Sequence, residues 1–571
     1  MTEENKTTDA PVPGSPDYPL HSELTIGAYL KQQVAIDPDH EFVVYPDRDL
    51  RWTYKDFDER TDALAKGLLA IGMKPGDHLG VWARNIPDWL TFMYASAKIG
   101  VVMVTVNPVY KSHELDYVLK QSDMKALCVI DAYRDVDYLQ IIRDLVPESL
   151  NVQRGFLHSE AYPFLENLIY MGPEKHRGFY SVPELLLLGQ HKPDSSLEWA
   201  QGQFDNNDVV MMQYTSGTTG FPKGVMLTHY NVVNNGKAIG DCMDLSTADK
   251  LMIQVPMFHC FGMVLAMTAS MTHGVTMSPI PAFSPKKGLA CINQEKITAF
   301  HGVPTMFIAM LGHEDFEKTD FSHMRTGIMA GSPCPIKVMQ DVIDKMHMTE
   351  ICITYGQTEA SPGCTMSKTT DSLEARVNTV GAAMFGVECK IVDPETNEDL
   401  PDNVDGEFVA KGYNIMKGYY KMPEATAAAI DENGWLHTGD LARRDENGYY
   451  KITGRIKDMI IRGGENIYPK EIEDFIYTHP KVSDVQVIGV PDKQYGEEIM
   501  ACVVLKPGEA MTEEELKDYV ASHMAKHKVP RYVDFVDSFP MNAAGKILKY
   551  KMREQAVEKL NLQSANSIET A

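Results

Sequence analysis

The sequence predicts an α/β protein with a large N-terminal domain of stacked sheets, a small β-subdomain and a small α+β C-terminal domain. Apolar strands alternate with amphipathic helices from residue 25 to residue 355, a pattern typical of parallel sheets covered by helices. Short strands separated by turns replace this pattern at residues 380–418, and the composition changes again near Gly454. A chain of 571 residues also exceeds the usual size of one hydrophobic core.

Local patterns predict the elements of the first part of the chain. Short apolar runs predict strands at residues 42–45, 78–82, 101–106 and 126–130, and helical spacing predicts helices at residues 55–71, 89–99 and 135–145. A further strand is expected near residues 152–157. Residues 160–200 show no clear periodicity, so we expect an insertion or a long excursion there.

The C-terminal part of the chain has its own set of predicted elements. Strands are expected at residues 458–462, 485–490 and 501–505, and helices at residues 469–478 and 512–524. Thr512 and Glu515 form a capping signal at the start of the second helix. The predicted organisation is a disordered segment at residues 1–20, an N-terminal domain at residues 21–456 and a C-terminal domain at residues 457–571.

One segment has the length of a membrane span. Residues 251–280 contain no Asp, Glu, Lys or Arg. Pro256, His259 and His273 interrupt this run, and Gly274 precedes a β-rich segment, so we expect a buried strand, helix and strand, with a transmembrane helix as the alternative. Residues 1–20 are acidic and proline-rich and show no export or organelle signal.

Composition narrows the classes of partner. A net charge of −25 argues against nucleic acid, because phosphate backbones select basic surfaces. The nine cysteines are scattered and form no C-x-x-C pair, which is typical of reduced thiols in a cytoplasmic protein and makes a structural zinc site unexpected. A homodimer is one of the assemblies that we expect.

A segment rich in glycine and hydroxyl side chains at residues 215–224 is the first candidate site. Such a turn exposes backbone N–H groups that can surround phosphates, and we place it between a strand and a helix. The Walker spacing is not met, because Pro222 precedes the lysine. The alternative is a flexible surface loop. The candidate residues are Thr215, Ser216, Gly217, Thr218, Thr219, Gly220 and Lys223.

Further candidates lie in turns that follow predicted strands. Glu359, after Thr358, lies where open α/β sheets bind ligands, and its carboxylate is suited to Mg²⁺. Asp440 follows a glycine turn and can accept two ribose hydroxyls, or it can simply form the turn. Lys546 also follows a glycine turn, and His259 lies among aromatic and methionine side chains that form either core or a ligand pocket.

These motifs and Arg455 follow one another along the chain between residue 215 and residue 546. Their combination resembles the adenylate-forming superfamily of acyl-CoA synthetases, luciferases and peptide-synthetase adenylation domains. The resemblance covers residues 25–560. Residues 455–469 and 541–549 are most similar to medium- and long-chain fatty acyl-CoA synthetases.

The resemblance implies two half-reactions that use ATP, Mg²⁺ and CoA. A carboxylate attacks the α-phosphate of ATP to give acyl-AMP and pyrophosphate, and the thiol of CoA then displaces AMP. Both first-step partners are anions, so positive charge must offset their repulsion. By resemblance, Lys546 bridges carboxylate and α-phosphate, Thr358 contacts the α-phosphate, and the 215–224 segment holds the β- and γ-phosphates. The resemblance also implies that Glu359 holds Mg²⁺ and that Asp440 and Arg455 bind ribose. Gly331, Ser332, Pro333 and Tyr355 would flank adenine, and Gly356 is a further nucleotide-binding candidate.

The resemblance also implies a mobile C-terminal domain. After the first step it rotates about Lys457, which withdraws Lys546 and brings in Gly463, Gly464 and Glu465 to form a passage for the pantetheine arm of CoA. His259 would then lie near the acyl carbon and the thiol entrance.

The expected acyl pocket contains Phe258, His259, Met263, His301, Gly302, Val303, Gly331 and Gly356. Acetate-specific relatives carry Trp at the position of Gly356, so its absence predicts a deeper pocket. Residues 258–267 and 301–310 contain no Lys or Arg, which disfavours a dicarboxylate. We expect a medium-chain, branched or alicyclic acid. The alternatives are a long-chain or aromatic acid–CoA ligase, an acyl-AMP ligase serving a carrier protein, a luciferase-type oxidation, or a non-catalytic scaffold.

Overall fold

The computed structural model describes residues 22–215, 222–332, 334–462, 465–542, 545 and 547–562. The N-terminal segment expected to be disordered lies outside these residues. The α/β class is confirmed, because two large sheets flanked by helices make up most of the chain. One continuous apolar cluster joins both sheets and includes Val43, Trp82, Met212 and Met263.

The larger sheet has eight strands in the described residues and carries the flanks of the glycine-rich segment. Its strands run parallel except at one edge, where the last two are antiparallel to their neighbours. In spatial order they are Gly418–Tyr419, Lys223–Thr228, Val209–Thr215, Val102–Val106, His78–Trp82, Met124–Val129, Asn167–Tyr170 and Phe179–Ser181.

The second sheet has seven described strands and is parallel except for its edge hairpin. Its parallel strands are buried on both faces, which explains the continuous apolar runs of the sequence. In spatial order they are Glu350–Cys352, Thr326–Met329, Ala299–Gly302, Lys250–Ile253, Thr276–Pro279, Glu41–Tyr45 and Leu50–Thr53.

Helices cover the faces of both sheets, and several begin with side chains that cap free backbone N–H groups. Capping boxes start at Thr53, Ser181 and Thr228. The N-terminal helices are Ile26–Ile36, Tyr54–Ala70, Pro87–Ala97, Ser112–Gln121, Tyr138–Leu145, Val182–Gln190, Ser195–Gln201, His229–Cys242, Ala269–Thr272, Pro285–Glu295, Pro304–Leu311, Ile336–Met346, Leu373–Asn378 and Pro423–Ala429. Short 3-10 helices lie at Pro46–Arg48, Pro147–Leu150, Phe316–Lys318, Thr358–Ala360, Ile456–Asp458 and Lys526–Lys528.

Small antiparallel sheets accompany the two large ones, and the four-stranded one contains the short strands predicted by the change of pattern after residue 380. A three-stranded sheet contains Thr354–Gly356, Gly363–Met366 and Ala382–Ala383. A four-stranded sheet contains Val387–Val392, Gly406–Gly412, Leu436–Arg444 and Tyr450–Arg455. A short hairpin joins Ala132–Tyr133 to Val136–Asp137.

The C-terminal part is an α+β unit with apolar clusters drawn from its own residues. Thr512 caps its second helix by accepting a hydrogen bond from Glu515 N, as predicted. Its strands are Ile460–Arg462, Glu465–Ile467, Val482–Asp492, Gly496–Leu505 and Tyr532–Phe535, and its helices are Pro469–Ile476, Glu513–Ala521 and Lys549–Lys559.

Three local predictions are wrong. Residues 160–200 are not an insertion or an excursion from the fold, because they supply the last two strands at one side of the larger sheet and two helices. The expected strand at residues 152–157 is absent from these described positions. The glycine-rich segment joins two antiparallel strands, so its C-terminal flank is the strand Lys223–Thr228 and not a helix.

The uncharged run at residues 251–280 folds as expected. It forms buried strands at its two ends with helical turns between them, including a π-helix at Phe261–Thr268. Within the described parts of the chain, no helix has both the length and the apolar character that a membrane span requires.

Candidate active site

The flanks of the glycine-rich segment are fixed by a β-hairpin. Thr215 lies opposite Lys223 in the antiparallel pairing. The Tyr117 hydroxyl donates to Pro222 O at 3.0 Å, which anchors the C-terminal flank to the helix Ser112–Gln121. Ser216, Gly217, Thr218, Thr219 and Gly220 lie outside the described residues. The structure therefore places the two ends of the predicted phosphate loop close together.

Lys223 and Glu359 are brought together by a tyrosine that the sequence analysis did not identify. The Tyr419 hydroxyl donates to Glu359 Oε1 at 2.8 Å. The ammonium nitrogen of Lys223 lies over the same ring, 4.7 Å from its centroid. Burial, and then the Glu359 carboxylate, raise the pKa of Tyr419 well above its ordinary value, so the phenol stays protonated and donates.

The surroundings of Glu359 fit a magnesium ion bound together with a nucleotide. Mg²⁺ is commonly held by one or two carboxylates and the phosphates of a substrate, without an all-protein cage. Glu359 supplies one such carboxylate in the 3-10 turn Thr358–Ala360. The described residues contain no group of three His, Cys, Asp or Glu side chains arranged for a metal. The Glu359 carboxylate fits a metal that is held jointly with phosphates.

A second polar cluster is centred on Asp440. The Tyr355 hydroxyl donates to Asp440 Oδ2 at 2.8 Å, and Arg455 Nε donates to Oδ1. Asp440 and Arg455 face each other on paired strands. Burial, and then the Asp440 carboxylate, keep the pKa of Tyr355 well above its usual range. These three predicted residues are therefore in direct contact.

The turn that carries Asp440 is held by the neighbouring strand Gly406–Gly412. Glu407, which is buried, accepts hydrogen bonds from Gly439 N at 2.9 Å and faces His437 Nδ1 at 2.9 Å. The Thr438 hydroxyl donates to Phe408 O at 2.6 Å, where the strand pairing shifts register. Sequence analysis missed Glu407, although a charged residue within an apolar strand is a signal for such a role.

His259 and Thr358 are linked through a buried thiol. Cys260 Sγ lies 3.6 Å from both His259 Nδ1 and Thr358 Oγ1. Phe261 N donates to His259 Nδ1 at 3.1 Å. Burial raises the pKa of Cys260 to about 12, so this group is a neutral thiol near neutral pH. The predicted residues His259 and Thr358 therefore belong to one cluster.

The residues predicted for the acyl pocket separate into two groups. Val303 and Gly331 are neighbours, since a methyl group on Gly331 would lie 3.1 Å from Val303 Cγ1. Phe258, which is half-buried, is placed in the same group. Met263 and Gly302 lie deeper, with Met263 Sδ 3.5 Å from Gln213 Nε2 and Gly302 against Phe307. The first group can border a ligand, and the second packs into the core.

His301 belongs to the core, which corrects its assignment to the pocket. Its side chain is fully buried and is stacked on Phe261. Ile328 N donates to Nδ1 at 3.1 Å, so the proton lies on Nε2, which donates to Leu265 O at 3.0 Å. Both ring nitrogens thus connect backbone segments.

Gly356 does not open the pocket in the way that the sequence suggested. A Cβ atom at this position would lie 1.7 Å from Pro362 O, and the adjacent carbonyl carbon would be at 2.8 Å. The side-chain direction therefore points at the backbone of the opposing strand, not into open space. The argument that a missing indole creates depth fails for this geometry.

The C-terminal unit is docked against the N-terminal part near Val303, one of the residues predicted for the acyl pocket. A Cβ atom on Gly545 would lie 3.2 Å from Val303 Cγ2, and one on Gly454 would lie 3.7 Å from the Tyr468 ring. The predicted hinge residue Lys457 lies in the 3-10 turn Ile456–Asp458. Pro333, Gly463, Gly464 and Lys546 lie outside the described residues, as does the side chain of Glu465. Ser332 is half-buried.

Fold and site together define a nucleotide-binding enzyme with a docked C-terminal unit. The AMP-binding enzyme model matches residues 30–420, and the model of the AMP-binding enzyme C-terminal domain matches residues 471–546. The chain belongs to the family of AMP-binding enzymes, as the resemblance of its motifs predicted.

Known relatives agree with this assignment. A relative from Bacillus subtilis (strain 168) bears the name "Putative acyl-CoA synthetase YngI". It is 52% identical over 96% of this chain and 99% of its own. The medium-chain acyl-CoA ligase ACSF2, mitochondrial, of Bos taurus is 40% identical over 95% of this chain and 89% of its own.

Solved structures have the same fold. ATP-bound MatB from Rhodopseudomonas palustris aligns with a TM-score of 0.81 and 28% identity, covering 93% of this chain and 99% of MatB. A fatty acyl CoA synthetase of Mycobacterium tuberculosis aligns with a TM-score of 0.70 and 28% identity, covering 94% and 99%. The relatives support AMP-forming acyl-CoA synthetase activity, that is, an acid–thiol ligase that uses ATP, a carboxylic acid and CoA.

Proposed function

We propose that this acyl-CoA synthetase acts on medium-chain, branched or alicyclic carboxylic acids through an acyl-AMP intermediate. The observation that supports this reaction is a short segment that contacts a polar cluster at each of its two ends. Tyr355, in the strand Thr354–Gly356, contacts Asp440, and Glu359, in the next turn, contacts Tyr419 beside Lys223. This segment thus spans from a ribose site to a phosphate site.

In the first half-reaction, the substrate carboxylate attacks the α-phosphorus of ATP and the P–O bond to pyrophosphate breaks. Asp440, held by Tyr355 and Arg455, would accept the ribose hydroxyls. Lys223 and the loop before it would hold the departing β- and γ-phosphates, and Thr358 would donate to the α-phosphate. Glu359 would hold Mg²⁺, which supplies positive charge to the phosphates when bound.

Lys546 is proposed to offset the repulsion between carboxylate and α-phosphate. Its neighbour Gly545 lies beside Val303, which supports a docked arrangement suited to the first half-reaction. Rotation about Lys457 would then exchange Lys546 for Gly463 and Gly464 before CoA attacks the acyl-AMP carbonyl carbon and AMP leaves. The hinge, the domain boundary there and the CoA passage are part of this proposal.

The proposed acid follows from the apolar border near Val303. Val303, Phe261 and Met306 are all buried and apolar, and none of them offers a partner for a second carboxylate. The name of the Bos taurus relative, a medium-chain acyl-CoA ligase, agrees with this choice. A long-chain or an aromatic acid is the competing substrate class.

Release of AMP from ATP with CoA tests the proposal across C2 to C18, branched, alicyclic and aromatic acids. We expect the highest kcat/KM between C6 and C12 or with an alicyclic acid. A maximum at acetate, at C16 or with an aromatic acid would contradict the proposed substrate class. Product formation without CoA but with a carrier protein would contradict CoA as the acceptor.

The role of Lys546 is tested by separating the half-reactions. Lys546→Ala should reduce acyl-AMP formation about a thousandfold and leave acyl-AMP plus CoA turnover nearly intact. Lys551→Ala, which changes an exposed lysine nearby, is the matched control and should retain both steps. Equal loss of both half-reactions in the Lys546 variant would contradict the proposed role.

The proposal also covers the location and the assembly of the protein. All nine cysteines are free thiols, and six of them are buried, which supports a reducing, cytoplasmic environment. A homodimer is proposed as the assembly. Cell fractionation and sedimentation equilibrium test the two statements, and a membrane-bound or monomeric protein would contradict them.

A further inference from the structure

We propose that Tyr419 is a positioning residue for the phosphate end of the nucleotide site. In this role it holds Lys223 and Glu359 in place for the β- and γ-phosphates, while leaving the charge of each group available to the ligand. The inference rests on the proposed function, because it assigns a task within the same site.

Tyr419 contacts each charged group with a different part of its side chain. Its hydroxyl donates to Glu359 Oε1 at 2.8 Å, and its ring lies 4.7 Å from the Lys223 ammonium nitrogen. The tyrosine is 7% exposed, so both contacts occur in a largely dry environment. A single side chain therefore fixes the relative position of the two groups.

Backbone hydrogen bonds fix the position of Tyr419 itself. It lies opposite Val225 in the antiparallel strand pair, and Tyr420 N donates to Gly224 O at 2.8 Å. On the other side, Met416 N donates to Glu359 O at 2.8 Å. The chain around Tyr419 is thus bonded both to the end of the phosphate loop and to the turn that carries Glu359.

The chemistry of these contacts explains why a tyrosine is suited to the position. A lysine and a carboxylate in direct contact would neutralise each other, and a phosphate would have to break their ion pair. A cation–π contact leaves the lysine positively charged, and a phenol donor leaves the carboxylate negatively charged. Both groups can then serve the same ligand, the lysine on phosphate oxygens and the carboxylate on a hard cation.

Two substitutions separate the two contacts. Tyr419→Phe removes the hydrogen bond to Glu359 and keeps the ring beneath Lys223. Tyr419→Leu removes both. Tyr420→Phe is the matched control, because it removes a similar bond from a neighbouring hydroxyl to Asp123 Oδ2, at 2.9 Å.

Titration calorimetry of the full-length protein with inorganic pyrophosphate in excess Mg²⁺ is the test, and AMP is the internal reference. We expect pyrophosphate to bind about tenfold more weakly to Tyr419→Phe and about thirtyfold more weakly to Tyr419→Leu. AMP lacks the β- and γ-phosphates, so its affinity should stay within about twofold in both variants. Tyr420→Phe should resemble the wild type with both ligands.

Reference variants distinguish failure of this inference from failure of the proposed function. If Lys223→Met and Glu359→Gln weaken pyrophosphate binding but Tyr419→Phe and Tyr419→Leu do not, the role of Tyr419 is wrong and the phosphate site stands. An equal loss of AMP and pyrophosphate affinity in Tyr419→Phe also overturns the role, because it indicates general disruption. If the Lys223 and Glu359 variants bind pyrophosphate normally, the proposed phosphate site itself is wrong.

Discussion

The assignment of His301 to the core, and not to the acyl pocket, makes a quantitative prediction about acid stability. Burial lowers the pKa of His301 to about 4, against an ordinary value of 6.5. The folded protein keeps the imidazole neutral, whereas the unfolded chain protonates it below pH 6.5. The contribution of His301 to stability is therefore complete above pH 6.5 and is lost as the pH falls towards 4.

The size of this loss follows from the difference in pKa. One pKa unit corresponds to about 1.4 kcal/mol, so the full loss is about 3 kcal/mol, of which about 2 kcal/mol has been lost at pH 5. His229 is also fully buried, and burial lowers its pKa to about 3, so it adds a similar loss at pH 5 and a larger one at lower pH. Because His229 is retained in every variant, the difference between wild type and a His301 variant isolates His301.

Denaturant unfolding at pH 7.5 and pH 5 measures this difference. His301→Gln keeps a donor and an acceptor but does not titrate, so its unfolding free energy should fall about 2 kcal/mol less than that of the wild type between these pH values. His301→Leu should be about 2–5 kcal/mol less stable at pH 7.5, because Ile328 N and Leu265 O lose their partner.

Enzyme kinetics supplies an independent check. Since the His301 side chain is 0% exposed and both nitrogens are bonded to backbone, His301→Gln should leave the chain-length profile of kcat/KM unchanged. A His301→Gln protein with the wild-type pH dependence of stability would refute the titration argument. A shifted chain-length profile would refute the placement of His301 outside the pocket.

Two further outcomes follow from the geometry of the site. Gly356→Ala places a Cβ atom 1.7 Å from Pro362 O and should lower the unfolding free energy by about 2 kcal/mol or more. The control Gly312→Ala, whose Cβ atom would have its nearest neighbour at 3.5 Å, should change the unfolding free energy by less than about 0.5 kcal/mol. Equal melting temperatures of the two variants would contradict the clash at Gly356. Glu407→Ala loosens the turn that carries Asp440, so the preference in kcat/KM for ATP over 2′- and 3′-deoxy-ATP should fall about tenfold. Asp440→Asn should show the same fall. If the ratio falls in Asp440→Asn but is unchanged in Glu407→Ala, the proposed role of Glu407 is wrong.

Local sequence patterns predicted the parts of the fold that depend on short-range periodicity. The parallel strands are buried on both faces and therefore read as apolar runs, and capping residues such as Thr512 mark where helices begin. Residues 160–200 were misread because their strands are short and lie between irregular turns; Asn167–Tyr170, for example, has only four residues. Such segments take their structure from the sheet that they join, not from their own pattern.

The site was predictable where its residues lie in short motifs and not where partners are far apart in sequence. Tyr355, Asp440 and Arg455 were expected at one ligand and are in contact. Tyr419 and Glu407 were missed because their partners, Glu359 and Gly439, lie in other motifs. The sequence next to a buried Tyr or Glu in a strand does not indicate which distant turn that side chain will support.

The position of Gly356 between Tyr355 and Glu359 changes how acyl selectivity should be explained. In the proposed function, Tyr355 supports the ribose-binding Asp440 and Glu359 lies at the phosphate end, so the four-residue step between them would set the spacing of both ends. The close approach of Gly356 to Pro362 O keeps that step in register with the opposing strand. A bulky residue at Gly356 would therefore disturb nucleotide binding before it could shorten an acyl pocket. Control of chain length is better sought at Val303, which lies between Gly331 and the docked Gly545.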